Sequence, residues 1–201
     1  MKKLNRDFFC RNSVKVAREL IGKYLVKKEG SSILSGKITE TEAYRGINDP
    51  ASHACRKKTP RNAVMFGPPG FSYVYFCYGS YFMFNVVTEP EGRAGAVLIR
   101  GVEPAGGIKK MEKNRGAINN KNFANGPGKL TGAFNITKKD NIRDLTKGNF
   151  YIGEGNKEKI RIKSSPRIGI KEGLDKNWRF YAESTETAER AAKKSRKLRR
   201  P

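Results

Sequence analysis

Phe71-Ser72-Tyr73-Val74-Tyr75-Phe76-Cys77-Tyr78-Gly79-Ser80-Tyr81-Phe82-Met83-Phe84-Asn85 is the stretch on which the fold turns. Aromatic and β-branched side chains fit a pleated, half-buried surface, so both halves read as strands. Gly79-Ser80 between them has the composition of a two-residue hairpin turn. That places Tyr78 at the tip, where a large ring has little core to pack against. Most of these aromatics are explained as strand formers; Tyr78 is explained poorly that way. An aromatic on a protruding element can enter a base stack and hold the space left by an extruded nucleotide.

Working outward, Gly67-Pro68-Pro69-Gly70 introduces the hairpin, and Ala94–Val102 reads as a further apolar strand. Upstream, Ser13 is placed to cap a short helix with Val14, Ala17, Leu20 and Ile21 on one face and Gly22 as its stop. Lys23–Lys28 and Ile33–Tyr44 read as two strands joined by a turn, and 45–61 as a loop punctuated by Gly46, Asn48, Pro50 and Pro60. Downstream come a basic helical stretch to about Arg115, a polar loop, a short helix after Gly126-Pro127, and short strands between Phe150 and Ile170. These elements predict one α+β domain, a curved and mainly antiparallel β-sheet with peripheral helices and a protruding β-hairpin. The domain is expected to span residues 1–184. Residues 185–201 read as a basic, flexible tail.

The chain has 201 residues, with 42 Lys and Arg against 19 Asp and Glu, a net charge of +23. Residues 190–201 supply +7 of this and leave +16 on the body. So large an excess costs self-repulsion that phosphates relieve, which favours a nucleic-acid partner over a charged but unpartnered surface. Cys10, Cys55 and Cys77 match no C-x-x-C pair, and His53 is the single histidine. A disulfide framework and cysteine- or histidine-rich metal sites are therefore not expected. There is no apolar run after the basic start and none long enough for a membrane span, which points to a soluble, intracellular protein with no membrane partner.

Several residues are candidates for chemistry. Period-two alternation puts Glu40, Glu42 and Tyr44 on one strand face and Thr39, Thr41 and Ala43 on the other, with same-face neighbours about 6.6 Å apart. A carboxylate beside a flat ring suits hydrolysis of a bond next to a stacked planar substrate; a solvated strand face is the plainer alternative. Glu40 and Glu42 also have the spacing of an inverting glycosidase pair, a weak likeness. Asn85 in an apolar run must be hydrogen-bonded if buried, structurally or to a base edge. Arg100 ends a strand, either on the surface or aimed into a pocket. Gly126-Pro127-Gly128-Lys129-Leu130 fails as a P-loop, lacking the first Gly and the final Ser or Thr. Its role is a turn and helix start, with Lys129 near a backbone phosphate.

These segments, taken in order, resemble the alkyladenine (3-methyladenine) DNA glycosylase family of the mammalian type. The likeness runs from about Leu4 to Ala182. It rests on Glu40-Thr41-Glu42-Ala43-Tyr44, Thr59-Pro60-Arg61-Asn62, Tyr73-Val74-Tyr75 with Tyr78-Gly79, Leu98-Ile99-Arg100 followed by Glu103-Pro104, Gly126-Pro127-x-Lys129-Leu130 and Arg179-Phe180-Tyr181. The resemblance implies a monofunctional DNA N-glycosylase that starts base excision repair, needs no cofactor or metal, and acts as a monomer on double-stranded DNA containing damaged purines. By the same resemblance Glu42 is the general base for water attacking the sugar C1′, and Arg100 helps hold that water. Tyr44, His53 and Tyr75 hold the flipped base, Tyr78 is the intercalating wedge, and Asn85 is set to clash with the 2-amino group of guanine. The implied lesions are 3-methyladenine, 7-methylguanine, hypoxanthine and ethenoadenine. Two rival readings are a non-catalytic RNA-binding accessory module and a nucleoside N-glycosidase using Glu40 with Glu42. The first leaves the Glu42–Tyr44 face and Arg100 without a purpose, and the second leaves the charge unexplained.

Overall fold

Residues 1–77, 79–116, 123–156 and 159–183 are described by a computed structural model. In chain order they form α1 (Arg6–Phe9), α2 (Ser13–Glu19), β1 (Tyr24–Glu29), β2 (Ser32–Arg45), β3 (Ser72–Cys77), β4 (Tyr81–Val87) and β5 (Gly95–Gly106). Then follow α3 (Ile108–Asn114), α4 (Pro127–Ala133), β6 (Phe150–Gly153), β7 (Ile162–Ser165) and β8 (Arg179–Ala182). The strands make one antiparallel sheet in the order β3-β4-β5-β2-β1-β6, with β8 paired to β2 and β7 to β8. It curls into a half-barrel, so the α+β single-domain architecture read from the sequence is the one that forms.

β2 is the hub. One edge pairs with β5 throughout, while the other pairs with β1 in its first half and with β8 at Glu40–Glu42. The main core lies on the face that packs α2 and α4, where Leu20, Leu34, Ile38, Phe84, Ile99, Leu130 and Phe134 are all fully buried. A smaller cluster, with Met65, Tyr73, Val87 and Ala96, lies apart from it.

Strict alternation does not survive along β2. The register against β5 slips between Ile38 and Glu40 and again between Glu40 and Thr41, leaving Thr39 and Arg100 as the unpaired extra residues. Each bulge adds one residue on one strand and re-aims side chains. Core-facing positions therefore change from Leu34 and Ile38 to Thr41 and Ala43 on β2, and from Val97 and Ile99 to Val102 on β5. Glu40, Glu42 and Tyr44 keep the common face expected for them, and Arg100 sits at the switch.

Three local expectations need correction. Asn12, not Ser13, caps α2 by accepting the Val14 N–H, because the Ser13 amide and hydroxyl are taken by buried Glu89. Pairing of the hairpin ends at Cys77–Tyr81, so three residues close it instead of two, with Gly79 at φ 64°. β5 continues past Pro104 to Gly106 before α3 begins. Tyr78 and residues 184–201, which include the whole of the expected tail, lie outside the described residues.

Candidate active site

The register lines up a row of side chains across the sheet: Tyr73 on β3 opposite Asn85 on β4, Asn85 opposite Leu98 on β5, and Leu98 opposite Glu42 on β2. Directly paired residues of antiparallel strands share a face. Tyr73, Asn85 and Leu98 of this row line a cavity of about 330 Å³, within the ~300–1,000 Å³ typical of ligand pockets, while Glu42, next in the row, is buried and not itself in the wall. Tyr44, His53, Tyr75, Asn85 and Arg100 all line the cavity, five residues brought together from distant parts of the sequence. Met65, Cys77, Met83, Pro127 and Ile168 complete the walls. Lys129 is exposed on α4 and not in the wall, with its ammonium 3.2 Å from Asn125 Oδ1.

Glu42 is 0% exposed, which removes the solvated-strand alternative. Its Oε1 accepts the Ile168 N–H at 2.7 Å and its Oε2 accepts the Tyr44 hydroxyl at 2.8 Å. Arg100 Nη1 lies 3.3 Å from Oε1. A carboxylate offers about four acceptor positions, so two hydrogen bonds and the Arg100 ion pair leave room for a further proton donor. Burial and the adjacent Glu42 charge push the Tyr44 hydroxyl well above the usual phenol range, keeping it a donor. Burial disfavours the Arg100 cation, but Glu42 and Glu40 outweigh that and raise its pKa further.

Behind this wall, Arg167 forms a bidentate pair with Asp49 at 2.7 Å for both contacts, each side chain being 0% exposed. Its guanidinium lies 4.8 Å from the Tyr44 ring centre on one side and 5.2 Å from that of Trp178 on the other. Because Ile168 follows directly, this anchor also sets the amide that holds Glu42. Neither Asp49 nor Arg167 is foreseen from the sequence, where 150–170 reads as strands; the segment after β7 crosses the site instead.

His53 stands exposed at the mouth with its Nδ1 2.9 Å from the Tyr73 hydroxyl and its ring 4.7 Å from Tyr75, edge to face. Burial of its inner side, and then Arg61, lower its pKa below the ordinary imidazole value. Arg61 also lies 5.3 Å from the Tyr75 ring centre. Buried Asn85 donates its Nδ2 to Tyr73 O at 3.0 Å, so it has the hydrogen bond its position demands. Among the described residues, no group of three His, Cys, Asp or Glu side chains is gathered to hold a metal ion.

The model of one family, methylpurine-DNA glycosylase, matches residues 7–186. The chain belongs to that family. It is therefore a DNA N-glycosylase, and the reading as a non-catalytic RNA-binding module falls. A protein of Prosthecochloris aestuarii named "Putative 3-methyladenine DNA glycosylase" is 48% identical over 183 residues, covering 90% of this chain and 88% of its own length. Proteins of the same name from Desulfitobacterium hafniense and Carboxydothermus hydrogenoformans are 46% and 48% identical, covering 92% and 89% of this chain and 98% and 94% of their own. Among the described residues no helix is long and apolar enough to cross a membrane.

Proposed function

We propose that this glycosylase flips damaged purines, 3-methyladenine among them, out of duplex DNA and hydrolyses the bond to the sugar with Glu42 as general base. What carries the reading is the Glu42 carboxylate, buried, held by two hydrogen bonds and an ion pair with room left for a further donor, beside an aromatic-walled cavity. Alkylation at a ring nitrogen makes the purine cationic, a better leaving group and a better partner for the faces of Tyr44 and Tyr75. His53, neutral at pH 7, adds no competing positive charge. Water takes the remaining position on Glu42, loses its proton there and attacks C1′, while Arg100 holds the carboxylate and the attacking oxygen. The products are the free base and an intact strand with an abasic site.

Hypoxanthine, 7-methylguanine and ethenoadenine belong to the same substrate set. Asn85 excludes guanine by its 2-amino group, and Tyr78 fills the vacated stack. Residues 1–184 suffice for catalysis by a monomer, Lys129 approaches a backbone phosphate, and the tail adds non-specific affinity. Glu42→Gln keeps the volume and the Ile168 hydrogen bond but cannot take the proton. Base release from lesion duplexes should fall about 10²–10⁴-fold with lesion binding retained. Release at the wild-type rate would overturn the assignment. Tyr78→Ser should weaken capture of lesion duplex, and unchanged binding counts against the wedge.

A further inference from the structure

Glu40 does not line the cavity, yet a single oxygen of it organises two arginines. Its Oε1 accepts from Arg100 Nε at 2.8 Å and from Arg179 Nε at 2.6 Å. All three side chains are largely buried, at 17%, 12% and 14% exposure. Arg179 is itself fixed, donating from Nη1 to Ser165 Oγ at 3.0 Å with its guanidinium 4.6 Å from the Tyr181 ring centre. Arg100, at the bulge of β5, is thus pulled by its Nε toward Glu40 while only Nη1 reaches Glu42, at 3.3 Å.

Where nothing competes, an arginine and a carboxylate pair through two short parallel bonds. This chain has such a pair in Arg167–Asp49, with both contacts at 2.7 Å. If Arg100 closed on Glu42 in that manner, both carboxylate oxygens would be engaged and the position left for water would be lost. We propose that Glu40 is a positioning residue that holds Arg100 off a bidentate pair with Glu42 and balances the charge of Arg179, so that Glu42 stays open to water. The inference rests on Glu42 being the general base.

Burial opposes ionisation of Glu40, but Arg100 and Arg179 outweigh it and hold its carboxyl below the usual range, so it is negative at neutral pH. Glu42 is faced by Tyr44 from its own strand, Arg100 from β5, Tyr75 from β3 and Arg179 opposite it on β8, with Arg167 beside the Ile168 amide. Removing the Glu40 charge takes away the acceptor that the two arginines share and frees Arg100 to close on Glu42 through two bonds.

The test is single-turnover 3-methyladenine release from methylated DNA, read beside lesion-duplex affinity. Glu40→Gln should lower the release rate at least about tenfold, with lesion affinity changed less than about threefold. Glu40→Asp, which keeps the charge that holds both arginines, should recover most of the rate. Thermal melting of each variant separates this from a merely structural role, which lowers stability and leaves the release rate of the folded protein in place. A wild-type release rate in Glu40→Gln, while Glu42→Gln is inactive, overturns the inference and leaves the Glu42 reading intact. A fully active Glu42→Gln overturns that reading and the inference with it.

Discussion

Replacing Arg167 by methionine removes half of an ion pair that is sealed from solvent. The Asp49 carboxylate would keep only the Arg45 N–H, at 2.9 Å on Oδ2, and lose both guanidinium bonds. Breaking one side of a buried pair costs about 3–5 kcal/mol because the remaining charge is stranded. That is a large part of the 5–15 kcal/mol that typically separates folded from unfolded states. Asp49→Asn should cost a comparable amount, since it strands the guanidinium beside Tyr44 and Trp178. The double variant carries neither charge. It also removes an Arg167 Nε that is buried without a partner among the described residues, so its cost should be well below the sum of the two. The coupling energy should reach at least about 2 kcal/mol. Urea unfolding followed by Trp178 emission measures this directly, because the chain has a single tryptophan and the Arg167 guanidinium lies 5.2 Å from its ring. Base release in the double variant should stay about tenfold low even where the fold recovers, since Arg167 no longer anchors the Ile168 amide against Glu42. Additive costs, with a coupling below about 0.5 kcal/mol, would refute the reasoning.

Three other outcomes are expected. Burial and Arg61 hold the His53 imidazole below its ordinary value and keep it neutral at pH 7, so protonation on acidification adds a cation to the pocket and should weaken preference for cationic lesions over undamaged DNA. His53→Gln should flatten that dependence in competition binding, and a preference unchanged by pH in the wild type would refute it. A Cβ on Gly128 would meet the Tyr81 ring at 2.8–3.0 Å. Gly128→Ala should therefore displace the hairpin and lower lesion-duplex affinity, and the gain of up to about 1 kcal/mol usual for this change in a helix should be absent from the melt. Deleting residues 190–201 should reduce the salt dependence of DNA binding, by up to about 0.9 in log–log slope for each phosphate the tail neutralises, measured by titration at several ionic strengths.

Much of the architecture is local and so was readable. The aromatic alternation of Tyr73–Asn85 specifies a hairpin, and Tyr24–Arg45 a strand pair, because side chains repeat every second residue on a half-buried sheet. The same rule placed Glu42 and Tyr44 on one face. It missed the bulges, since an extra residue is a property of the pairing between two strands and not of either one. It also assigned the cap to Ser13, because nothing nearby announces that Glu89, 76 positions later, claims that side chain. Glu40, which looked like a possible second carboxylate of a glycosidase pair, is occupied by two arginines and is not in the cavity wall.

By itself, then, the sequence determined the fold class, a basic body suited to DNA, and through its ordered motifs the family and five residues that do meet in one cavity. The tertiary structure alone decided the state of the Glu42 carboxylate beside them. Glu42 is buried and trebly held because Ile168, 126 positions away, and Arg100 at a bulge are brought against it. Asp49 and Arg167, 118 positions apart, lock the segment that does so. Such pairings depend on register and on how a curled sheet folds a distant segment across its face, and neither leaves a periodic trace in the chain.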